Sequence, residues 1–371
     1  MNIGLDAKRA FATPTGLGTY ARTTIQALAQ YHPEHCYVLL TPHLGSIPKA
    51  FPPGLHVHSP NRRGILGALW RSLWIPRAAT RLHLHLYHGL SHELPLTPMP
   101  RAIRTLVTVH DLLFLSHPHR YPWVDRHTYR LKYSHSIRRA HRVLAISQAT
   151  AQEVIARLGI PEDRVHVAYQ ACPEIYFGPP PIPAHEVMAR LGLPQDFVLT
   201  VGSLIPRKQT ATLIAALGLM PSSHRPPLVV AGTGPMEQSL RLQAQQHGVH
   251  ALFLGHIPEA LLPGLYHAAC VLAYPSEAEG FGLPIVEALA CGTPVVTSTG
   301  SCFAEAGGPG ALYVPPGNAE ALAHAICRIL EDSSLAHSLR QAGTQHATRF
   351  HPRTVADTLL AHYRATVEDE A

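Results

Sequence analysis

Two glutamates eight positions apart frame the segment richest in chemical content, Glu279-Gly280-Phe281-Gly282-Leu283-Pro284-Ile285-Val286-Glu287. It follows the β-branched run Val271–Tyr274 and a Pro275-Ser276 turn. The glycines allow a tight turn in which backbone can approach a ligand. Pro284 sits where a first helical residue should, and Gly292 where a helix cap should. Glu287 is therefore expected on the first helical turn and Glu279 in the loop. Both carboxylates would stand at the C-terminal end of a parallel strand, where open α/β sheets take ligands. An ordinary strand–helix unit with surface acids accounts for either glutamate alone. It does not account for the whole string followed by Ala288-Leu289-Ala290-Cys291-Gly292-Thr293-Pro294-Val295-Val296.

A second segment, Gly202-Ser203-Leu204-Ile205-Pro206-Arg207-Lys208-Gln209, follows a strand and opens a helix. Free N–H groups and the macrodipole at a helix start favour phosphate. Arg207 adds a planar fork and Lys208 a point charge. A third, Gly16-Leu17-Gly18, lies beyond the loop Asp6–Thr15 and resembles half of a dinucleotide fingerprint. The fingerprint is incomplete: position 21 is Ala, and no acid closes the next strand, Tyr37–Thr41. A nicotinamide cofactor is disfavoured, while close approach to a phosphate or sugar stays open. The fourth is His110-Asp111, a polar pair ending the buried run Val107-Thr108-Val109. A strand-end histidine can equally be satisfied by backbone; the adjoining aspartate favours a site residue.

Short apolar runs must position these groups. They occur near Asn2–Leu5, Tyr37–Thr41, Leu55–His58, Leu84–Tyr87, Arg104–His110, Arg142–Ile146 and Val165–Ala168. In the second half they occur near Phe197–Val201, Leu228–Ala231, Ala251–Leu254, Val271–Tyr274, Pro294–Thr297 and Leu312–Val314. Such runs, alternating with helical periods such as Ala21, Ile25 and Leu28, predict parallel sheets in an α/β chain. The 371 residues are 46% hydrophobic and 15% charged, which suits two folded domains. The proline-rich stretch at 178–183 reads as the start of a linker. The organisation expected is an N-terminal domain over 1–177, a linker over 178–190, a C-terminal domain over 191–352, and a last helix, 353–371, returning to the first domain.

The excess of Lys and Arg (30) over Asp and Glu (24) suits anionic ligands, and no basic run interleaved with stacking aromatics points to nucleic acid. The 27 histidines are scattered, without a metal-binding spacing. The six cysteines include no CxxC pair and read as core residues of a reducing compartment. The start is not a signal peptide, and no apolar run reaches the ~18 residues of a membrane span, so a cytoplasmic protein is expected. Segment 61–81 carries five arginines beside Trp70 and Trp74. An interfacial helix looks like this, and so does a helix packing its Trp and Leu face on the sheet and ending at Pro76. The packed helix is the expectation, with peripheral membrane contact as its alternative.

Taken together, the segments resemble the retaining glycosyltransferases of family four, of the two-Rossmann (GT-B) type. The resemblance covers nearly the whole chain, and Val230-Ala231-Gly232-Thr233-Gly234-Pro235 supports it. It implies two Rossmann-like parallel-sheet domains facing a central cleft and a nucleotide diphosphate-sugar donor. It assigns Glu287 to the nucleotide ribose, and Arg207 and Lys208 to the diphosphate and to charge on the leaving nucleotide. Gly280, Phe281, Gly282 and Leu283 would hold the donor sugar, with Glu279 near its hydroxyls. Gly16 and Gly18 would approach phosphate or acceptor, Gly202 and Gly234 would lie beside the donor, and His110 would meet the sugar. With no Asp-x-Asp, no metal and no other cofactor is expected. The acceptor would be a glycan or lipid-linked molecule of cell-envelope polysaccharide synthesis, and a mannosyl group the sugar moved. Where the family usually runs to Pro-Glu, this chain reads Gly300-Ser301-Cys302-Phe303-Ala304-Glu305. A nucleotide-sugar epimerase would need its own acid and base around the sugar, and no matching carboxylates occur in the first half. A non-catalytic binding subunit has no need of Arg207, Lys208, Glu279 and Glu287 together.

Overall fold

The computed structural model describes residues 1–12, 16–45, 51–52 and 54–368. Contacts divide the chain into two units, Met1–Ala171 with the helix Pro352–Glu368, and Cys172–His351. Each unit is one parallel sheet with helices, as its buried β-branched runs require.

The first unit's strands are β1 (Asn2–Asp6), β2 (Cys36–Leu40), β3 (Leu55–His58), β4 (Leu86–Gly89), β5 (Arg104–Val109), β6 (Arg142–Ala145) and β7 (Val165–Val167). Their order is β3-β2-β1-β4-β5-β6-β7. The second unit's are β8 (Val198–Val201), β9 (Leu228–Ala231), β10 (Ala251–Gly255), β11 (Val271–Tyr274), β12 (Val295–Ser298) and β13 (Ala311–Val314). Their order is β10-β9-β8-β11-β12-β13. Winding reverses beside β1 in one sheet and beside β8 in the other, the Rossmann arrangement. In register, Leu5 faces His88 on β4, and Leu199 faces Leu272 on β11. The two expected Rossmann-like sheets are present, every strand within two residues of its predicted run.

Four details differ from expectation. The division between units falls after Ala171, ahead of the proline stretch. Tyr176 is buried against the Tyr266 ring, and the helix Ala184–Leu191 packs on the helix Leu262–Ala268, so residues 178–190 belong to the second unit's fold rather than forming a free linker. The expected loop Asp6–Thr15 contains a short helix, Lys8–Ala12, and residues 13–15 lie outside the described residues. Gly16 and Gly18 are helical, opening Gly16–Tyr31, rather than forming a turn before it. Segment 61–81 is not one packed helix. A helix Gly64–Leu69 leads through a wider π-turn, Trp70–Trp74, into Ile75–Arg81. Pro76 opens that last helix instead of ending it, because a first-turn proline forfeits no bond. Trp70 is buried, but Ile65, Leu66, Leu69 and Trp74 are exposed.

The last helix packs on Gly16–Tyr31 within the first unit. Its buried Tyr363 hydroxyl is hydrogen-bonded to His88 Nδ1 at 2.7 Å, and His88 Nε2 to Thr108 Oγ1 at 2.8 Å. Positions 369–371 of the expected helix lie outside the described residues. Among the described residues no helix is long and apolar enough to cross a membrane.

Candidate active site

In the second unit, β8 and β11 are neighbours at the winding reversal, and the loops leaving them meet. The loop after β8 ends in a 3-10 turn, Pro206–Lys208. Gln209 follows in the left-handed region, and the helix starts only at Thr210. The two cations thus stand just ahead of the helix rather than in it. The loop after β11 holds this turn: Ser276 Oγ donates to Arg207 O at 3.2 Å, and Glu277 N to the same carbonyl at 2.9 Å.

Glu279 closes the arrangement. Its Oε1 lies 2.5 Å from Arg207 Nη1 and 2.7 Å from Lys208 Nζ. It also accepts from Ser276 Oγ at 2.6 Å and from Tyr274 OH at 3.1 Å. Burial alone would raise this carboxyl, but Lys208 and Arg207 outweigh it and hold it down at about 2. Burial lowers the Lys208 ammonium, against the pull of Glu279. Glu279 is therefore a fixed anion between two cations, not the loose loop carboxylate that its glycine neighbours suggested. The three charges sum to +1, which leaves attraction for a phosphate.

Close backbone approach explains the glycines around this cluster. Gly202 and Gly232 both have positive φ, and a Cβ at Gly232 would overlap the Gly202 carbonyl. A Cβ at Gly234 would overlap the backbone of Leu204. The loops after β8, β9 and β10 are laced by Leu204 N to Thr233 O (2.9 Å) and Gly232 N to Gly255 O (2.8 Å). They border a cavity of about 250 Å³ lined by Gly202, Ser203, Thr233, His256, Ile257 and Leu262 among others. Only the glycines of that lining were expected from the sequence.

Glu287 is buried in the second turn of the helix Leu283–Ala290, not in its first. The helix-dipole argument for it therefore falls away. Tyr266 OH donates to its Oε2 at 2.7 Å. Burial pushes the Glu287 carboxyl up to about 7, and the bond from Tyr266 limits the rise. Tyr266 and Tyr274 carried no sequence signal; they are tyrosines at the ends of apolar runs, read as core. Gly282 has φ +100° and caps that helix, a conformation suited to glycine. Phe281 points its ring onto Phe350, 5.2 Å away, so only its backbone is presented to a ligand. Ser301 and Cys302, where the chain departs from the family pattern, pin the loop: Ser301 Oγ donates to Glu279 O at 2.9 Å, and Cys302 Sγ to Phe281 O at 2.9 Å.

The first unit holds the other candidates. His110 is buried just past β5. Its Nε2 lies 2.8 Å from Leu90 O, and since a carbonyl only accepts, Nε2 carries the proton and Nδ1 is an acceptor. His110 N donates to His92 Nε2 at 3.0 Å, and the Tyr20 ring meets the imidazole edge-on at 4.5 Å. Burial, reinforced by His92, pushes His110 down to about 3, so it is neutral at physiological pH. Tyr20 belongs to the helix that Gly16 and Gly18 open, which ties the Gly-x-Gly segment to His110. Gly18 is buried and Gly16 exposed. Asp111 caps the following turn through Leu113 N at 3.1 Å. Among the described residues no cluster of three or more His, Cys, Asp or Glu has a metal-binding arrangement.

Residues 14–172 match the family described as Glycosyltransferase Family 4, and residues 186–346 that described as Glycosyl transferases group 1. The chain is 32% identical over 275 residues to O-antigen chain mannosyltransferase B of Escherichia coli, covering 72% of this chain and 70% of that one. Among solved structures it resembles sucrose-phosphate synthase from Thermosynechococcus elongatus, with a TM-score of 0.77, 22% identity and 98% of both chains covered. It also resembles the Anabaena protein HepE in complex with UDP and glucose, with a TM-score of 0.73, 20% identity, and 98% and 99% covered. These two likenesses carry the fold. The matched family halves and the mannosyltransferase relative carry the family: the chain belongs to glycosyltransferase family 4 and is a hexosyltransferase.

Proposed function

We propose that the chain is a retaining transferase that moves a mannosyl group from a guanine nucleotide diphosphate-sugar to a glycan or lipid-linked acceptor in cell-envelope polysaccharide synthesis. The observation that carries this is the surplus positive charge of Arg207 and Lys208 around Glu279, beside the cavity behind Gly202. The sugar follows the mannosyltransferase relative.

In this reading the bond from the sugar's anomeric carbon to the β-phosphate oxygen breaks. The acceptor oxygen attacks the same face and loses its proton. Arg207 and Lys208 stabilise the charge that builds on the departing nucleoside diphosphate, an effect strongest in a water-poor site. Glu287 accepts from ribose hydroxyls, with Tyr266 fixing its other oxygen. Backbone of Gly280 to Leu283 borders the sugar, and His110 Nδ1 accepts from a sugar hydroxyl. No metal takes part, because the two cations supply the charge. The reaction runs in the cytoplasm.

The test is incubation of purified protein with GDP-mannose and UDP- or ADP-sugars, with a glycan acceptor and excess chelator. A product that keeps the donor's anomeric configuration, formed with the chelator present, is expected. An epimerised donor, binding without transfer, an inverted product, or loss of activity restored only by Mg²⁺ or Mn²⁺ would each overturn the corresponding part. A thermal-shift panel of nucleotides identifies the base directly.

A further inference from the structure

The exposed apolar side chains are unevenly shared. Among the described residues, the second unit exposes Leu219 and Leu242 as its large apolar groups, whereas the first exposes ten. Most of those ten lie on two helical segments. One, 64–74, presents Ile65 (79% exposed), Leu66, Leu69 and Trp74; the other, Trp123–Arg139, presents Trp123, Val124 and Leu131 (73%). Side chains of this size are normally buried in a water-soluble fold, and contiguous exposure marks an interaction surface.

The two segments are braced against the same stretch of chain. Glu93 pairs with Arg71 of the first and, at 3.3 Å, with Lys132 of the second. Thr97 N donates to Ser72 O at 3.2 Å, and Arg139 Nη1 to Leu96 O at 2.8 Å. Leu96 is itself exposed in that stretch. The charge around these groups has one sign. Arg62, Arg63, Arg77 and Arg81 flank the first segment, and Arg130, Lys132 and Arg138 are exposed on the second. Across 61–81 and 123–139 the only acid is Asp125. Between Arg62 and the Trp70–Trp74 pair lies a cavity of about 320 Å³ whose walls include Leu66 and Leu69. An apolar slot with an arginine at its rim suits an acyl chain below an anionic head group.

We propose that this two-segment face of the first unit docks on an anionic lipid bilayer, with Trp74, Leu66, Trp123 and Leu131 entering the interface and the arginines meeting head-group phosphates. Aromatic and leucine side chains ringed by arginine are the makeup of interfacial helices, and cations next to an anionic leaflet add attraction that salt screens. Docking would bring a lipid-linked acceptor within reach, as proposed above, but vesicle binding does not depend on which sugar is moved.

The experiment is cosedimentation of the full chain with phosphatidylcholine vesicles, with and without phosphatidylglycerol. The variants are Leu66→Glu with Trp74→Glu, Leu131→Glu alone, and Leu242→Glu as a control on the second unit. The wild type and the control should cosediment with the anionic vesicles and be released by salt. The first two variants should bind at least roughly tenfold more weakly, since each places an acid where an apolar group entered. Nucleoside diphosphate binding, read by thermal shift on the same samples, should be equal in all four, which keeps folding and donor chemistry separate. A wild type that ignores anionic vesicles, or variants that bind like it, would overturn the proposal. So would a wild-type dimer in analytical ultracentrifugation that these substitutions dissociate, because the face would then belong to a second copy of the chain.

Discussion

The carboxyl edges of the two sheets carry mirror-image charge clusters. In the first unit one cation, Arg71, sits between two acids: Arg71 Nε donates to Asp6 at 2.9 Å, and its Nη1 meets Glu93, which Lys132 also contacts. In the second unit one acid, Glu279, sits between two cations. Counting side chains, Asp6, Glu93, Arg71 and Lys132 sum to zero, while Arg207, Lys208 and Glu279 sum to +1. Both clusters are largely buried. A neutral buried cluster has spent its charges on itself and serves to hold the 71 and 93 segments to β1. A buried cluster with a surplus is costly until an anion arrives. The same winding thus yields a structural edge in one unit and a ligand-ready edge in the other. The neutral His110 fits this division, since it offers hydrogen bonds and no charge.

Arg71→Met should give the largest effect on stability. It leaves Asp6 without its guanidinium and Glu93 with Lys132 alone. Removing one partner of a buried pair costs about 3–5 kcal/mol, to be read by urea denaturation. Lys208→Met leaves Glu279 with Arg207, Ser276 and Tyr274, so it should cost under about 2 kcal/mol. Equal costs would erase the distinction between a structural and a ligand-ready cluster.

Glu287 is the second unit's other buried acid, and pH isolates it. Its carboxyl is raised from the ordinary 4.5 to about 7. A group whose folded value is raised contributes stability that is full below about 4.5 and lost once pH passes about 7. The loss is on the order of 3 kcal/mol at about 1.4 kcal/mol per pH unit. Glu287→Gln should remove that slope, so wild type minus variant stability falls between pH 4.5 and 7 and is flat above. Nucleotide affinity should show the opposite trend in the wild type, rising toward pH 7 as the carboxylate forms to meet ribose hydroxyls. Parallel stability curves for the two proteins would mean that Glu287 keeps an ordinary value.

The strands and the sheet class were legible because parallel strands buried on both faces must be continuous β-branched runs; β11 and β12 are buried at every residue. Charge placement was less legible. Arg207 and Lys208 were visible as a pair after a glycine, but that Glu279 would fold onto them depends on Ser276 and Ser301 closing the loop, and single serines carry no such signal. Glu287 was placed one turn too early because Pro284 marks a helix start without saying which face the fifth residue presents. In segment 61–81 periodicity cannot register a π-turn, which inserts an extra residue and rotates the leucines away from the buried side. The cavity walls at His256 and Ile257 follow β10, where nothing local distinguishes a ligand loop from any other.

Arg207→Ala and Lys208→Ala test the surplus directly. Each removes a charge-assisted bond to phosphate, worth about 1.5–3 kcal/mol, or roughly 10- to 150-fold in nucleoside diphosphate affinity by calorimetry. Unchanged affinity in both would remove the diphosphate assignment. Arg71→Met, measured under conditions where it remains folded, should leave that affinity unaltered.

Glu279→Gln is the mildest change to binding and the sharpest test of the comparison. Glutamine keeps the shape and can still accept a bond from Ser276 or Lys208, but the cluster's charge rises from +1 to +2. Before ligand binds, two cations then face each other with no anion between them, so the melting temperature should drop. Nucleoside diphosphate restores the missing negative charge, so its affinity should hold within about threefold or tighten, and the ligand-induced rise in melting temperature should exceed the wild type's. Turnover should fall. Loosened cations no longer meet the leaving group in fixed geometry, and an interaction that strengthens in the transition state shows mainly in kcat. If Glu279 instead gripped nucleotide directly, the variant would lose affinity for free nucleoside diphosphate as Arg207→Ala does. If Glu279 were only a structural partner like Glu93, the melting temperature would drop with no gain in the ligand-induced rise and no loss of kcat at saturating donor. Calorimetry, melting curves with and without nucleotide, and kcat on one protein sample separate the three outcomes.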